Sequence, residues 1–144
     1  MKAWRFTTQA VAATDRQAAW RQVMARLRLP LGEVADTAGF EGGVVCLTSP
    51  LGMDFALMEA TPQAISGRNP NQPAAVWLVV HLEGEAQFRD AGDIDVRLEP
   101  GDIIYGPTGT HAALTLSTRF RLLFINAPRV ALDHRLLAPQ SLRV

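Results

Sequence analysis

The chain has 144 residues, 48% hydrophobic and 19% charged, and its 14 basic and 14 acidic side chains cancel. This length predicts one domain over 1–144, and the neutral balance gives no support for a nucleic-acid or anionic-membrane partner. The longest apolar runs, such as Ala74 to Val80, are too short to span a bilayer, and the start "MKAWRFTTQ" lacks the apolar core of a signal peptide.

The first predicted element is a helix over about 15–28. Thr14 followed by Gln17 has the spacing of a capping box, Trp20, Val23, Met24 and Leu27 recur at helical spacing, and Pro30 stops the run. Arg16, Arg21, Arg26 and Arg28 fall mostly off that stripe and read as a solvated face.

Over about 32–126 the pattern changes to short strands. "GVVCLTS", "DFALMEA", "AAVWLVVHL", "EAQFRD", "IDVRL", "DIIYG", "AALTLS" and "FRLLFIN" are each bounded by turn residues. The turns are Ser49 to Gly52, Asp90 to Asp93, Glu99 to Asp102 and Pro107 to Gly109. Short strands this closely spaced predict an antiparallel sandwich or barrel. "SGRNPNQP", Ser66 to Pro73, reads as an exposed loop rather than a central strand. Asn126 is placed to cap a second helix from about Pro128, with Val130, Leu132 and Leu136 apolar, and the pattern breaks at Pro139. The segment looks cut short at Val144. The single cysteine, Cys46, allows no internal disulfide, fits a reducing cytoplasm and reads as a small buried hydrophobe.

In "LEPGDIIYGPTGTH", Pro100-Gly101 is a type II turn signature, Asp102 is placed to accept turn N–H groups, and the stretch ends in His111. The stretch resembles the second motif of cupins, G-x5-P-x-G-x2-H-x3-N, through Gly101, Pro107 and Gly109. His111 arrives one residue early and no asparagine follows at the motif spacing. The first cupin motif contains H-x-H; here His81 is present and Glu83 takes the place of the second histidine.

A resemblance over nearly the whole chain is to the N-terminal, cupin-like effector-binding domain of AraC-type transcriptional regulators, in the AraC-binding-like subgroup. It is carried by "AAWRQVMARL", "HLEGEAQF", "LEPGDIIYGPTG" and "RFRLLFINAPRVAL", in this order. The resemblance implies a mainly β, cupin-like double-stranded β-helix, a jelly roll with an N-terminal helix and the start of a C-terminal one. It implies a sensor that binds a small organic effector in its barrel. It also implies that this chain neither catalyses a reaction nor binds DNA itself; DNA contact would belong to a helix-turn-helix domain beyond Val144.

Strand alternation through "WLVVHLEGEAQF", if unbroken, puts Trp77, Val79, His81, Glu83, Glu85 and Gln87 on a mixed face. Leu78, Val80, Leu82, Ala86 and Phe88 then form the core face. His111 falls with Ala113 and Thr115 on the more polar side of its strand. One reading gathers His81, His111 and Glu83 or Glu85 around a metal. Without a paired H-x-H the expectation is no metal and no cofactor. The milder reading is an organic-ligand pocket at the barrel mouth using Trp77, His81, Tyr105, His111 and Arg68. Aromatic faces stack on a ring and a cation holds a carboxylate. Core packing accounts for Trp77 and Tyr105 equally well, and solvent exposure for Arg68. No G-x-S-x-G elbow or phosphate loop is present. The alternatives are a free-standing metal-dependent cupin enzyme and a plain dimerisation module; a homodimer is left open.

Overall fold

The computed structural model describes residues 1–29, 31–34, 39–67, 75–90, 92–107 and 112–128. In chain order the strands are β1 (Lys2–Thr7), β2 (Leu31–Val34), β3 (Gly42–Thr48), β4 (Asp54–Ala60) and β5 (Gln63–Gly67). Then follow β6 (Ala75–Glu83), β7 (Ala86–Asp90), β8 (Asp95–Leu98), β9 (Ile103–Pro107), β10 (Ala112–Leu116) and β11 (Phe120–Pro128). They form a six-stranded sheet in the order β1-β3-β4-β11-β6-β9 and a five-stranded sheet in the order β2-β5-β10-β7-β8. Every pairing is antiparallel. From β4 onward the chain crosses between sheets at nearly every connection, which is the winding of a jelly roll.

The sheets are held by side chains of matching parity. Val44 and Cys46 on β3, Ala56 and Met58 on β4, and Leu122 and Phe124 on β11 are buried. From the five-stranded sheet, Ile65, Phe88, Leu114 and Leu116 join them in one core. Alternation thus works as elementary strand geometry requires: one side of each sheet is dry.

The helix, α1 (Arg16–Arg26), lies against this core through the expected stripe: Trp20, Val23, Met24 and Leu27 are all buried. Trp20 is its anchor. The indole packs beside Phe6 and Phe40, and Nε1 donates to Gln63 Oε1 at 3.0 Å. A Cβ on Gly42 would stand 2.7 Å from the Trp20 ring, so only glycine lets β3 pass this close.

Both ends of the helix differ from expectation. Thr14 lies in a short 3-10 turn, Ala13–Asp15, and the N-cap is Asp15, whose side chain makes no capping bond. Within that turn Asp15 N donates to Ala12 O. At the other end, the stop precedes Pro30. Leu29 N donates to Met24 O, Arg28 N donates to Ala25 O, and Arg28 adopts φ 60. This is a Schellman ending, with arginine in the left-handed position that glycine occupies most cheaply.

Three strands were not expected from sequence: β1, β2 and β5. Ser66 and Gly67, read as the start of a loop, end β5, and the rest of that loop to Pro73 lies outside the described residues. The expected cap, Asn126, stands in a strand. It lies buried inside β11, which continues through Pro128 because Ala127 and Pro128 still face Val76 and Ala75 of β6. Residues 129–144, where the second helix was expected, lie outside the described residues.

Replacing Arg28 with glycine relieves the left-handed strain and should raise the unfolding free energy by about 1 kcal/mol, net of the added freedom of the unfolded chain. Urea denaturation of the Arg28→Gly variant checks this. An unchanged or lowered midpoint contradicts it.

Candidate functional site

The turn Glu99–Asp102 fixes the site. Gly101 has φ 98, as the third position of a type II turn requires, and Asp102 N donates to Glu99 O at 2.9 Å. The Asp102 carboxylate closes the turn by accepting from Glu99 N at 2.7 Å. The turn then holds β6 from both sides of one residue: His81 N donates to Asp102 O at 2.9 Å, and Gly101 N donates to His81 O at 2.7 Å.

The His81 side chain is 1% exposed and points into the barrel. Its Nε2 lies 2.5 Å from the carbonyl oxygen of Gly84. A carbonyl only accepts, so the Nε2 position carries the proton. In the neutral ring Nδ1 is then a lone-pair acceptor, and it is buried with no hydrogen-bond partner among the described residues. Unpaired buried acceptors are rare, because each costs about 1–3 kcal/mol of lost hydration.

Gly84 completes the arrangement. It adopts φ 96, and a Cβ there would meet Arg119 O at 2.5 Å. The tight turn sends the chain from the six-stranded sheet into the five-stranded one, and a register shift between Arg121 and Leu122 marks a bulge on the adjoining ladder. Together they break the expected alternation. Before Gly84 the inward residue set includes Val79 and His81; after it, Ala86 and Phe88. Leu78 and Val80, expected in the core, lie on the opposite, half-exposed side.

The other sequence candidates divide. Trp77 shares the inward side of β6 with His81, about 13 Å away along the strand. Its ring lies 6.0 Å from that of Phe88 and covers Gly106, whose added Cβ would stand 3.0 Å from the indole. Tyr105 belongs to neither group: it is 74% exposed on the outer side of edge strand β9 and does not line the barrel. The turn ends at Asp102, β9 starts at Ile103, and its odd positions Ile103 and Tyr105 are the exposed ones. Arg68 and His111 lie outside the described residues. Sequence reading missed the buried polar groups Thr8, Gln63 and Asn126; Asn126 is buried opposite Trp77 on β11. Its signal was parity: Leu122, Phe124 and Asn126 occupy the same side of their strand.

Among the described residues no three His, Cys, Asp or Glu side chains gather as metal ligands. Glu83 faces Arg121 at 3.9 Å on the outside, and Glu85 lies near Ser117 and Arg97, with 60% of its side chain exposed. These donors do not fit a metal beside His81, whose Nε2 is already engaged. Cys46 is buried, and that burial pushes its thiol pKa up, so the thiolate is disfavoured.

Outside the barrel a groove of about 370 Å³ opens over β1, β3 and β4. An ion-pair network crosses it: Arg119 bonds Glu41 and Glu59, and Arg121 bonds Glu59.

The two sheets, their winding and the turn before β9 decide the architecture. The fold is a cupin jelly roll. Among solved structures the chain is similar to a predicted oxalate decarboxylase from Thermotoga maritima, at 18% identity over 71% of this chain and 95% of that one, TM-score 0.51. It is also similar to KdgF from Halomonas sp., at 16% identity over 69% of this chain and 87% of that one, TM-score 0.50. No protein-family model and no curated protein matches. The expectation that the chain catalyses nothing is corrected by the first likeness: a protein described as a decarboxylase is built on this same cupin fold, so the architecture supplies no ground for denying a reaction. No helix among the described residues is long and apolar enough to cross a membrane.

Glu59 accepts from both Arg119 and Arg121, and these bonds, Arg119's foremost, hold its carboxyl below the ordinary range. A lowered folded-state pKa stabilises fully above the ordinary carboxylate pKa and is lost as pH falls below it. Glu59→Gln should therefore unfold at lower urea than the parent at pH 7. The gap should shrink on acidification; a gap that widens contradicts the ion-pair account.

Proposed function

We propose that the chain is a small-molecule-binding cupin domain whose ligand is neutral and carries a hydroxyl or N–H donor on an apolar body. The single observation behind this reading is the unpartnered His81 Nδ1 in the barrel interior. An acceptor with no partner favours a donor over an anion, which would meet it lone pair to lone pair. Among the described residues the buried polar ones are Thr8, Gln63, His81 and Asn126, and none of them is a lysine or arginine. A carboxylate ligand would thus find no fixed counter-charge among the described interior residues. Trp77 and Phe88 supply aromatic surface on the inward side.

In the finer reading this binding serves effector sensing in an AraC-type regulator, in the cytoplasm, with DNA contacted through a separate helix-turn-helix domain. The ordered pieces from "AAWRQVMARL" to "RFRLLFINAPRVAL" support it, and the lone buried thiol agrees with a reducing compartment. The mechanism is a population shift: ligand stabilises one arrangement of the segments flanking the barrel.

Thermal-shift screening against neutral sugars, phenols and fatty alcohols, with aromatic acids as the charged comparison, tests the ligand class. At a hundred times its Kd a true ligand adds about 2.7 kcal/mol of stability. His81→Phe should leave ligand-free stability within about 1 kcal/mol, since loss of the Gly84 bond and loss of the orphaned acceptor offset each other. The same variant should weaken binding by about tenfold or more. Equal binding by the variant, or a preference for anions, contradicts the proposal.

A further inference from the structure

Two glycines stand side by side at the start of β3, and the packing explains only the first. Gly42 lets the strand pass the Trp20 ring. At Gly43 a Cβ would meet only Phe6 O, at 3.5 Å, which is ordinary contact, and the backbone there is not left-handed. A glycine inside a strand weakens it and often marks the close approach of a ligand. The bare Cα of Gly43 opens a gap in a row of outward side chains, because Thr7 and Glu59 are its partners in register on either side. That gap belongs to the exterior groove of about 370 Å³.

Two residues along, Arg5, Val45 and Leu57 form the next row of the same groove. Val45 and Leu57 are 45% and 42% exposed and give it an aliphatic wall. The groove carboxylates are already engaged: Glu41 accepts from Arg119, and Glu59 accepts from Arg119 and Arg121. Arg5 is exposed and forms no ion pair among the described residues.

We propose that this groove is a second binding site, outside the barrel, for a small carboxylate on an aliphatic body. The body lies over Gly43 against Val45 and Leu57, and the carboxylate pairs with Arg5, whose planar guanidinium suits it. A cationic ligand would find both carboxylates taken, and a neutral one would leave Arg5 unmatched. The volume is that of ordinary small-molecule sites. The two sites select opposite ligands: the interior lacks a fixed cation, whereas the groove holds an unpaired one.

NMR titration of the 15N-labelled full chain with cyclohexanecarboxylate, at low salt, tests this. Cyclohexylmethanol serves as the neutral twin of the same shape. The acid should bind with a Kd on the order of 1 mM and shift the amides of Thr7, Gly43 and Val45. The alcohol should bind there at least about tenfold more weakly, and Arg5→Gln should reduce the acid to the level of the alcohol. Gly43→Val, which fills the gap with a residue suited to strands, should abolish binding in a folded protein. Gly43→Ala replaces it if circular dichroism shows the valine variant unfolded. No shift at these amides, equal binding of acid and alcohol, or full binding by the folded Gly43 variant overturns the proposal and leaves the barrel reading untouched. Shifts centred on His81 and Gly84 would put the acid inside the barrel and overturn both.

Discussion

The bond from His81 Nε2 to the carbonyl of Gly84 is the constraint on which the interior chemistry depends. It fixes the tautomer, and with it the character of Nδ1. It needs the left-handed turn at Gly84, where no other residue fits beside Arg119 O. It also needs β6 held in place, which the backbone bonds from Gly101 and to Asp102 accomplish. Residues from three separate stretches of sequence thus converge to leave one buried nitrogen without a partner among the described residues.

The two sides of the six-stranded sheet differ in character. Its inner side packs Cys46, Ala56, Phe124 and Val79 against the opposing sheet and presents His81. Its outer side carries exposed Val45, Leu47 and Leu57 near the ion pairs of Arg119 and Arg121. The register that buries the first set aligns the second, because strand side chains alternate strictly. A one-residue slip would exchange the two sides, so the burial of His81 and the exposure of Val45 and Leu57 depend on the same pairing.

Much of the architecture was legible in sequence. The Trp20 stripe found the helix, and every strand from β3 onward except β5 carried a hydrophobic run between turn residues. The three missed strands are short or sit where the pattern is weak: Lys2 to Thr7 has only Trp4 and Phe6 as inward residues, and β2 spans four positions. The type II turn at Gly101 was readable from Pro-Gly, yet its consequence, the clamp on His81, was not. Long-range backbone pairing leaves no mark on either segment alone. The same limit explains the inverted face assignment. Alternation was carried straight through Gly84, where the chain changes sheet. Tyr105 illustrates a different limit: an aromatic residue in a strand suggests burial or ligand contact equally, and only its place on an outer edge decides.

The protonation pattern of the His81 ring is the most direct test of the central claim. Long-range proton–nitrogen NMR of the ligand-free protein at neutral pH, with the His81 signals assigned by their loss in His81→Phe, reads it atom by atom. The account predicts a proton on Nε2, a bare Nδ1, and no exchange between tautomers. A proton resident on Nδ1 would contradict it, since the barrel would then offer a donor, and the ligand sought would need to be an acceptor.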